Sequence, residues 1–550
     1  MWQRERVRGF ATRTSLNIPA TLFIALVALY AAFGLCLGNA PMQDAPDHLT
    51  RAHVIADLLF NHGAQFGDLF ALKLSFFPYV AGDILLASLD RCIGTAWTCR
   101  IWIAGLIALL PLSVWFALRR QGASDIAAAT AGLLALYVAT DQFFILGFTN
   151  YLFSVACAFF TLGWFYTAAR TGRASAYWCF ALLLLLSYAL HLTALIFISI
   201  IIAISSTFLI VRKRVTITRA AVLMLAPVPL VAFQLITAPA VVFGKRVHIG
   251  QPMDTTSLAV QAVHTASVAS YSFHWREVAF SKIVRFDFPA ERFNQAADLA
   301  LFALLIATTL FPILFSWRRA MRVSAEPLLI GCALAALYLI TPPVIGGVFY
   351  SDVRALQYVL LFLIIAAVRC AEPDRGVRRA QFAFALIVAL ANLVYIAVYM
   401  LPQNVAMQRY KDLTASIPRG AKVLTVDTLP LHPYRPLLHA GAYATLNRCA
   451  LTPYIFAADN VPNMPYFEYL QRPSYVPHES WYSLKTRVSW DRVAREYQYM
   501  LVTVPWTPEK IPVSYTVVTQ NDVAALLRLQ GSAATLQGSA QGPAPAAKPE

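Results

Sequence analysis

Charge is scarce in this chain. Only 13% of its 550 residues are Asp, Glu, Lys or Arg, and 59% are hydrophobic. A soluble protein carries about 25% charged residues, so one soluble domain of this length is excluded. Acidic residues are the scarcer sign, 28 against 44 Lys and Arg. No Cys/His spacing resembles a zinc site, no Asn-x-Ser/Thr sequence occurs, and no repeat of 20–50 residues is visible. Of the eight cysteines, Cys36, Cys157, Cys179 and Cys332 fall in apolar segments and read as small buried hydrophobes. Cys92 and Cys99 fall in a predicted external loop, where a local disulfide is one of two readings.

What the chain has instead is apolar blocks of membrane-spanning length, which takes about 20 residues. Eleven spans fit, at 17–38, 97–118, 123–141, 145–168, 175–189, 192–211, 219–240, 297–316, 326–345, 354–370 and 380–401. The formal charge of +16 does not point to nucleic acid, because the basic residues cluster at alternate ends of these blocks. Arg119-Arg120, Arg170 with Arg173, Arg212-Lys213-Arg214, Arg318-Arg319 with Arg322, and Arg369 through Arg379 all fall on one side if the N-terminus is inside, as the positive-inside rule requires. The basic N-terminus (Arg4, Arg6, Arg8, Arg13) and Gly38-Asn39-Ala40 loosely mimic a cleavable signal. The apolar run between them exceeds the 7–15 residues of a signal core, so a retained helix is expected. Basic residues at both ends of 175–211 require a hairpin there, turning at Ser187 to His191.

This topology divides the chain into a transmembrane domain, 1–401, and an extracytoplasmic α/β domain, 402–530, followed by a Gly/Ala/Gln/Pro-rich tail, 531–550, expected to be disordered. Two loops of the first domain, 39–96 and 241–296, are external. Strands are expected in the C-terminal domain at Ala421 to Val426, Tyr497 to Val504 and Tyr515 to Val518, followed by a helical pattern through Leu529. The domain is rich in Tyr and Trp, which suits sugar, a membrane surface or a packed core.

The first external loop opens on Gln43-Asp44-Ala45-Pro46-Asp47-His48, two carboxylates and an imidazole beside lipid. Charge is costly there and is usually kept for chemistry or binding. If the segment after Pro46 is helical, Asp47 and Arg51 share a face and Asp44 sits at its start. Capping accounts for one of the acids, not for both together with the His. A partly desolvated carboxylate serves as a general base on a hydroxyl, and a cation such as Arg354 or Arg276 serves to stabilise a departing phosphate. Each basic residue alone also reads as an interfacial snorkeller.

The order of first span, acidic external loop, many spans and external C-terminal domain resembles the GT-C superfamily of polytopic glycosyltransferases, in particular protein O-mannosyltransferases and aminoarabinose transferases. The resemblance implies a polyprenyl-phosphate-linked sugar as donor, a lipid, glycan or protein acceptor, and inversion in one displacement. It implies a catalytic acid just after the first span, where Asp44 is the closest match and Asp47 the second. The adjacent Asp-Glu pair of the family is absent here; Ala-Pro separates the two acids. By the same resemblance Arg354 contacts the lipid-linked phosphate, with His48, Arg51, His191 and Arg276 as further substrate-binding candidates. Gly147 to Tyr151 and Ser187 to His191 look like segments of bacterial GT-C-like proteins. Some members use a divalent metal. Bacterial inner membrane with a periplasmic active face is the expected location, an endoplasmic reticulum membrane with a lumenal face the alternative, and nucleic acid is not an expected partner. Two other readings stand beside this one, a transporter or flippase of lipid-linked saccharide and an inactive envelope-assembly scaffold. Few polar residues (Gln234, Gln357, Asn392) fall inside the spans, whereas transporters place such groups near the midplane.

Overall fold

The computed structural model describes residues 17–72, 78–237, 291–315, 325–341, 344–345, 348–349, 352–371, 374–428, 434–455, 467–470, 489–505 and 515–530. Most of the second external loop and the tail, and with them Arg276, lie outside the described residues. The chain is a largely α-helical, multi-pass membrane protein with a small C-terminal sheet. Seven helices among the described residues are long and apolar enough to cross a membrane: Ile18–Cys36, Thr95–Gln121, Thr149–Thr171, Leu192–Val211, Ile217–Gln234, Gln295–Phe315 and Arg375–Thr414. Asp125–Val138, Ala174–Leu190 and Ala325–Ile340 are apolar but shorter. The 37-residue apolar stretch breaks at His191, whose extended backbone (φ −165°, ψ 129°) separates Ala174–Leu190 from Leu192–Val211.

Two compact units form. The first comprises 1–34, 104–141 and 151–396; the second comprises 35–103, 142–150 and 397–550. The first unit is less purely apolar inside than its spans suggest. Arg292 is fully buried, with Nε donating to Asp298 Oδ1 at 3.2 Å and Nη1 to Asn392 Oδ1 at 2.6 Å. Asn392 in turn donates to Tyr30 and Thr140, and the guanidinium lies over the Tyr137 and Tyr395 rings at 4.7 and 4.8 Å. Of this group the polar residues inside the spans announce Asn392 but neither member of the ion pair, because Arg292 precedes a span and Asp298 sits in its first turn. Arg292 and Asp298 neutralise each other, so the group reads as a clamp between helices.

The second unit holds the acidic loop. Helix α1 (Ala45–Phe60) starts with Pro46 in its first turn, where the missing N–H costs nothing. It packs Val54, Ile55 and Ala56 with Phe66, Phe70 and Ala87 of the same loop and with Leu451 and Ile455 of the C-terminal part. Helix α2 (Val80–Ile93) lies against it. The sheet has the order β1 (Val423–Val426), β2 (Tyr499–Thr503), β4 (Ala524–Leu529) and β3 (Tyr515–Gln520), with β1 and β2 parallel and the other pairs antiparallel. Met407, Tyr410 and Ile417 cover one face with Val423, Leu501 and Leu526; Val493 and Tyr497 join Leu424, Met500 and Leu527 on the other.

The helical pattern expected through Leu529 is overturned, since Ala524–Leu529 is a strand. A short, continuous apolar run fits a buried helix and a strand buried on both faces equally. Here the turn decides. Asn521 Oδ1 accepts the N–H groups of Val523 and Ala524 at 2.9 and 3.0 Å, folding the chain back onto β3. The strand then divides its side chains between the two cores.

Candidate active site

Asp44 occupies the N-cap position of α1 without capping it. Its side chain accepts no helix N–H, and its own N–H is held by the Leu146 carbonyl at 3.0 Å. The nearest polar side chain on its own strand of sequence is Gln43, 3.5 Å from Oδ1. The structural duty that best explained one of the two acids is therefore not performed. Gly147 makes the approach of the two backbones geometrically allowable. Its φ is +80°, and a Cβ there would stand 2.9 Å from Asp44 N and 3.0 Å from Ala45 N. A Gly147→Ala variant is expected to lose about 1–3 kcal/mol through strain at positive φ together with displacement of the acidic loop. Thermal unfolding of the detergent-solubilised protein checks this.

Asp47, one turn on, is 1% exposed, and Oδ2 makes no hydrogen bond. Between the two acids stands a residue from the far end of the sequence, His439. Its Nε2 lies 3.5 Å from Asp44 Oδ1 and its Nδ1 3.2 Å from Asp47 Oδ2. The imidazole is held by the segment before helix α3 (Ala442–Arg448), whose Ala442 carbonyl accepts from Thr50 of α1 at 3.1 Å. Four residues upstream, Arg435 pairs with Asp427 at 2.6 Å, and Thr503 donates to the same carboxylate at 3.0 Å.

A second buried pair supports the site from below. Arg51 donates through Nε and Nη2 to Asp83 Oδ1 at 3.1 and 2.5 Å. The same Nη2 is 2.8 Å from His48 Nδ1. Arginine stays protonated and has no acceptor, so Nδ1 of His48 accepts and the proton sits on Nε2. His48 is thus a fixed neutral donor. It also lines a small apolar pocket with Met42, Leu86, Trp102 and Thr149. Arg51, expected to bind substrate, has its guanidinium engaged by Asp83 and His48.

The electrostatics follow from burial. Each Arg of the site has its own Asp, whereas Asp44 and Asp47 face an imidazole and each other. Desolvation pushes the Asp44 carboxyl up to about 7, against the opposing influence of Gln43 and Arg51. Burial, then the Asp44 charge, pushes Asp47 well above the usual carboxylate range. Burial and the Arg51 charge hold His48 well below the usual histidine value. Burial, seconded by Arg435, lowers His439 to about 3. Burial therefore favours the uncharged form of each group, and Asp44 stands close to half ionised near pH 7. A carboxyl raised in the folded state favours folding below its unfolded value and loses that contribution as pH rises to the folded one. Asp44→Asn is accordingly expected to melt above the wild type at pH 8, with the difference narrowing below pH 7 and closing only near the unfolded value of 3.8.

The opposite face of α1 carries a separate polar group. His53 Nδ1 meets Asp90 Oδ2 at 2.7 Å, and Asp57 Oδ2 accepts the N–H groups of Gln65 and Phe66. They line a half-open cavity of about 110 Å³. Burial disfavours the charged His53 ring, but the Asp90 hydrogen bond and charge outweigh it and raise its value.

In the first unit, two more expected site residues meet. Arg354 begins the helix Arg354–Ala371 with its guanidinium 5.3 Å from the Tyr151 ring; Tyr151 donates to the Arg354 carbonyl at 2.7 Å. His191 packs edge-on to that ring, centroids 5.4 Å apart. Its Nδ1 accepts the Thr193 N–H at 3.2 Å, capping the next helix. Cys92 and Cys99 are both free thiols, exposed and buried respectively. Among the described residues no group of three or more His, Cys, Asp or Glu is arranged to hold a metal ion.

Sequence reasoning missed His439, Arg435, Asp427 and Asp83. The first three stand in Asp427 to His439, a stretch dense in Pro and His, with one Arg, within an otherwise aromatic domain. That density was the available signal.

No family model matches the chain, and no curated protein does. Among solved structures, apo-state ArnT from Cupriavidus metallidurans is similar at 11% identity and a TM-score of 0.47, covering 92% of this chain and 98% of its own. The Archaeoglobus fulgidus oligosaccharyltransferase, tethered to an acceptor peptide containing the NVT sequon, is similar at 14% identity and a TM-score of 0.39, covering 88% and 69%. Likeness at this level assigns neither substrate nor residue roles.

Proposed function

We propose that this chain is a GT-C-type membrane glycosyltransferase with Asp44 as its general base. The observation that carries the reading is the pair of buried acids at the start of α1, neither of them neutralised by an arginine of its own. Asp44 is preferred over Asp47 because its side chain is 12% exposed against 1%, so an acceptor hydroxyl reaches it. Its raised value also suits a base working near neutral pH. The chain crosses the membrane eleven times, with the N-terminus cytoplasmic and the C-terminal domain periplasmic in a bacterial inner membrane.

The donor is a polyprenyl-phosphate-linked sugar, and the acceptor is a lipid, glycan or protein. The acceptor oxygen attacks the anomeric carbon as its O–H proton passes to Asp44. The bond from that carbon to the phosphate oxygen breaks, and its electron pair leaves with the polyprenyl phosphate. One displacement inverts the anomeric centre. His48, locked as a neutral Nε2–H donor, orients a substrate oxygen.

The pH dependence follows. The base works ionised, so transfer should rise with pH along a limb near 7, the value to which burial brings Asp44. Initial rates between pH 5 and 9 with an externally added donor check this; a rate that falls over the same range removes Asp44 as base. Mass analysis of envelope glycans from a deletion strain tests the function itself. Loss of one sugar linkage supports the transferase. Unchanged linkages with saccharide stranded on the inner leaflet support a flippase instead.

A further inference from the structure

We propose that Arg120, Arg170 and Arg214, at the basic ends of three segments of the first unit, hold the phosphate headgroup of one anionic phospholipid. The proposal is independent of the transferase reading.

Two close approaches build the patch. At the first, Gly163 of Thr149–Thr171 packs on Thr95–Gln121 so tightly that a Cβ there would stand 2.5 Å from the Phe116 ring and 3.3 Å from the Ala117 Cα. The ends of the two helices are thereby adjacent. Arg170 Nη1 lies 3.7 Å from where a Cβ on Gly122 would stand, two residues past Arg120. At the second, Arg219 Nη1 donates to the Ala169 carbonyl at 3.0 Å. That bond ties the chain just after Arg212-Lys213-Arg214 to the last turn of Thr149–Thr171. Three segments distant in sequence deliver guanidinium groups to one place, where Arg120 and Arg214 both repel Arg170.

Topology alone does not ask for this convergence. The positive-inside rule counts the basic residues of a loop and is indifferent to their mutual distance, whereas like charges brought together repel. Arg120 is also held in place, its guanidinium over the Phe116 and Trp164 rings at 4.9 and 5.1 Å, rather than left to snorkel freely. Neighbouring Arg119 has an acid of its own, Asp125 at 2.7 Å. Among the described residues, none of Arg120, Arg170 and Arg214 has an ion-pair partner. Glu326, which also reaches Thr149–Thr171, accepts from the Tyr166 hydroxyl instead.

An anion from outside the chain supplies the counter-charge, and phosphate suits it. Guanidinium groups bond phosphate oxygens in pairs, and basic pockets between helices on the cytoplasmic side take phospholipid headgroups. The flanking helices favour a lipid over free phosphate. Trp178, one turn after Arg173, and Val211 and Ile217, on either side of Arg212-Lys213-Arg214, are large, apolar and exposed. They offer acyl chains a surface beside the headgroup.

The test is a titration of phosphatidylglycerol into the purified full-length protein in an uncharged detergent, read by native mass spectrometry and thermal unfolding. Wild type should fill one saturable site and melt higher as it fills, and phosphatidylcholine should do neither. Arg120→Gln with Arg170→Gln should weaken binding about 30-fold, and Arg214→Gln alone about 5-fold, the usual share of two and of one interfacial arginine. Arg214 is exposed, so its variant keeps a folded readout where the double variant does not fold. Lys213→Gln and Arg375→Gln each remove one charge from the same face and should bind as wild type does. Wild-type affinity in the arginine variants of the patch, or equal losses in Arg214→Gln and Lys213→Gln, would overturn the site. The same thermal shift from inorganic phosphate at equal concentration would overturn the lipid as its occupant.

Discussion

Arg51→Ala should destabilise the protein by about 3–5 kcal/mol, the cost of leaving a buried carboxylate without its cation. Both partners are almost wholly buried, with side-chain exposures of 3% and 0%, so water cannot replace the guanidinium. The substitution also frees His48 Nδ1 from the Arg51 guanidinium and lets the ring change tautomer. Removing both charges is a different experiment. Arg51→Met with Asp83→Leu exchanges a buried pair for apolar volume and should recover most of the loss, because the desolvation penalty goes with the charges. Chemical denaturation of the three variants in one detergent reads the series. If Arg51→Ala alone is as stable as wild type, the pair does not hold α1 to α2 as described.

Asp44→Asn should lower sugar transfer by about 100- to 10,000-fold, the range general-base catalysis supplies. Asn keeps the size and the hydrogen-bonding shape but cannot take a proton. The loss should fall on kcat, since the proton moves only in the transition state. Asp47→Asn should cost less. That side chain is 1% exposed, so an acceptor hydroxyl does not reach it. The two losses should not add, because both acids face His439 and the charge on Asp44 raises Asp47. The reverse order, Asp47→Asn crippling and Asp44→Asn mild, would make Asp47 the base and leave the cluster standing.

Much of the architecture is legible in hydropathy and charge. Apolar length sets the helices, and the basic residues flanking 175–211 require two helices where the structure breaks at His191. The start of α1 follows from Pro46. The strand at Ala524–Leu529 was not legible, because a run apolar on every side carries no period; only Asn521, acting on the turn, selects strand. At the site, Asp44, Asp47, His48 and Arg51 are visible as neighbours in sequence. His439 is separated from them by about 390 residues, and nothing in local spacing announces a long-range contact. Arg51 shows the reverse difficulty. A sequence displays its charge but not Asp83, which occupies it.

The central claim is that this chain forms a glycosidic bond using Asp44. It is tested most directly by reconstituting the full-length protein in vesicles with a polyprenyl-phosphate sugar and candidate acceptors, and detecting the product by mass spectrometry. Wild type should yield a sugar–acceptor conjugate of inverted configuration, while folded Asp44→Asn yields at least about 100-fold less. Saccharide moved across the bilayer with no new glycosidic bond, or undiminished product from Asp44→Asn and Asp47→Asn singly and together, would contradict it.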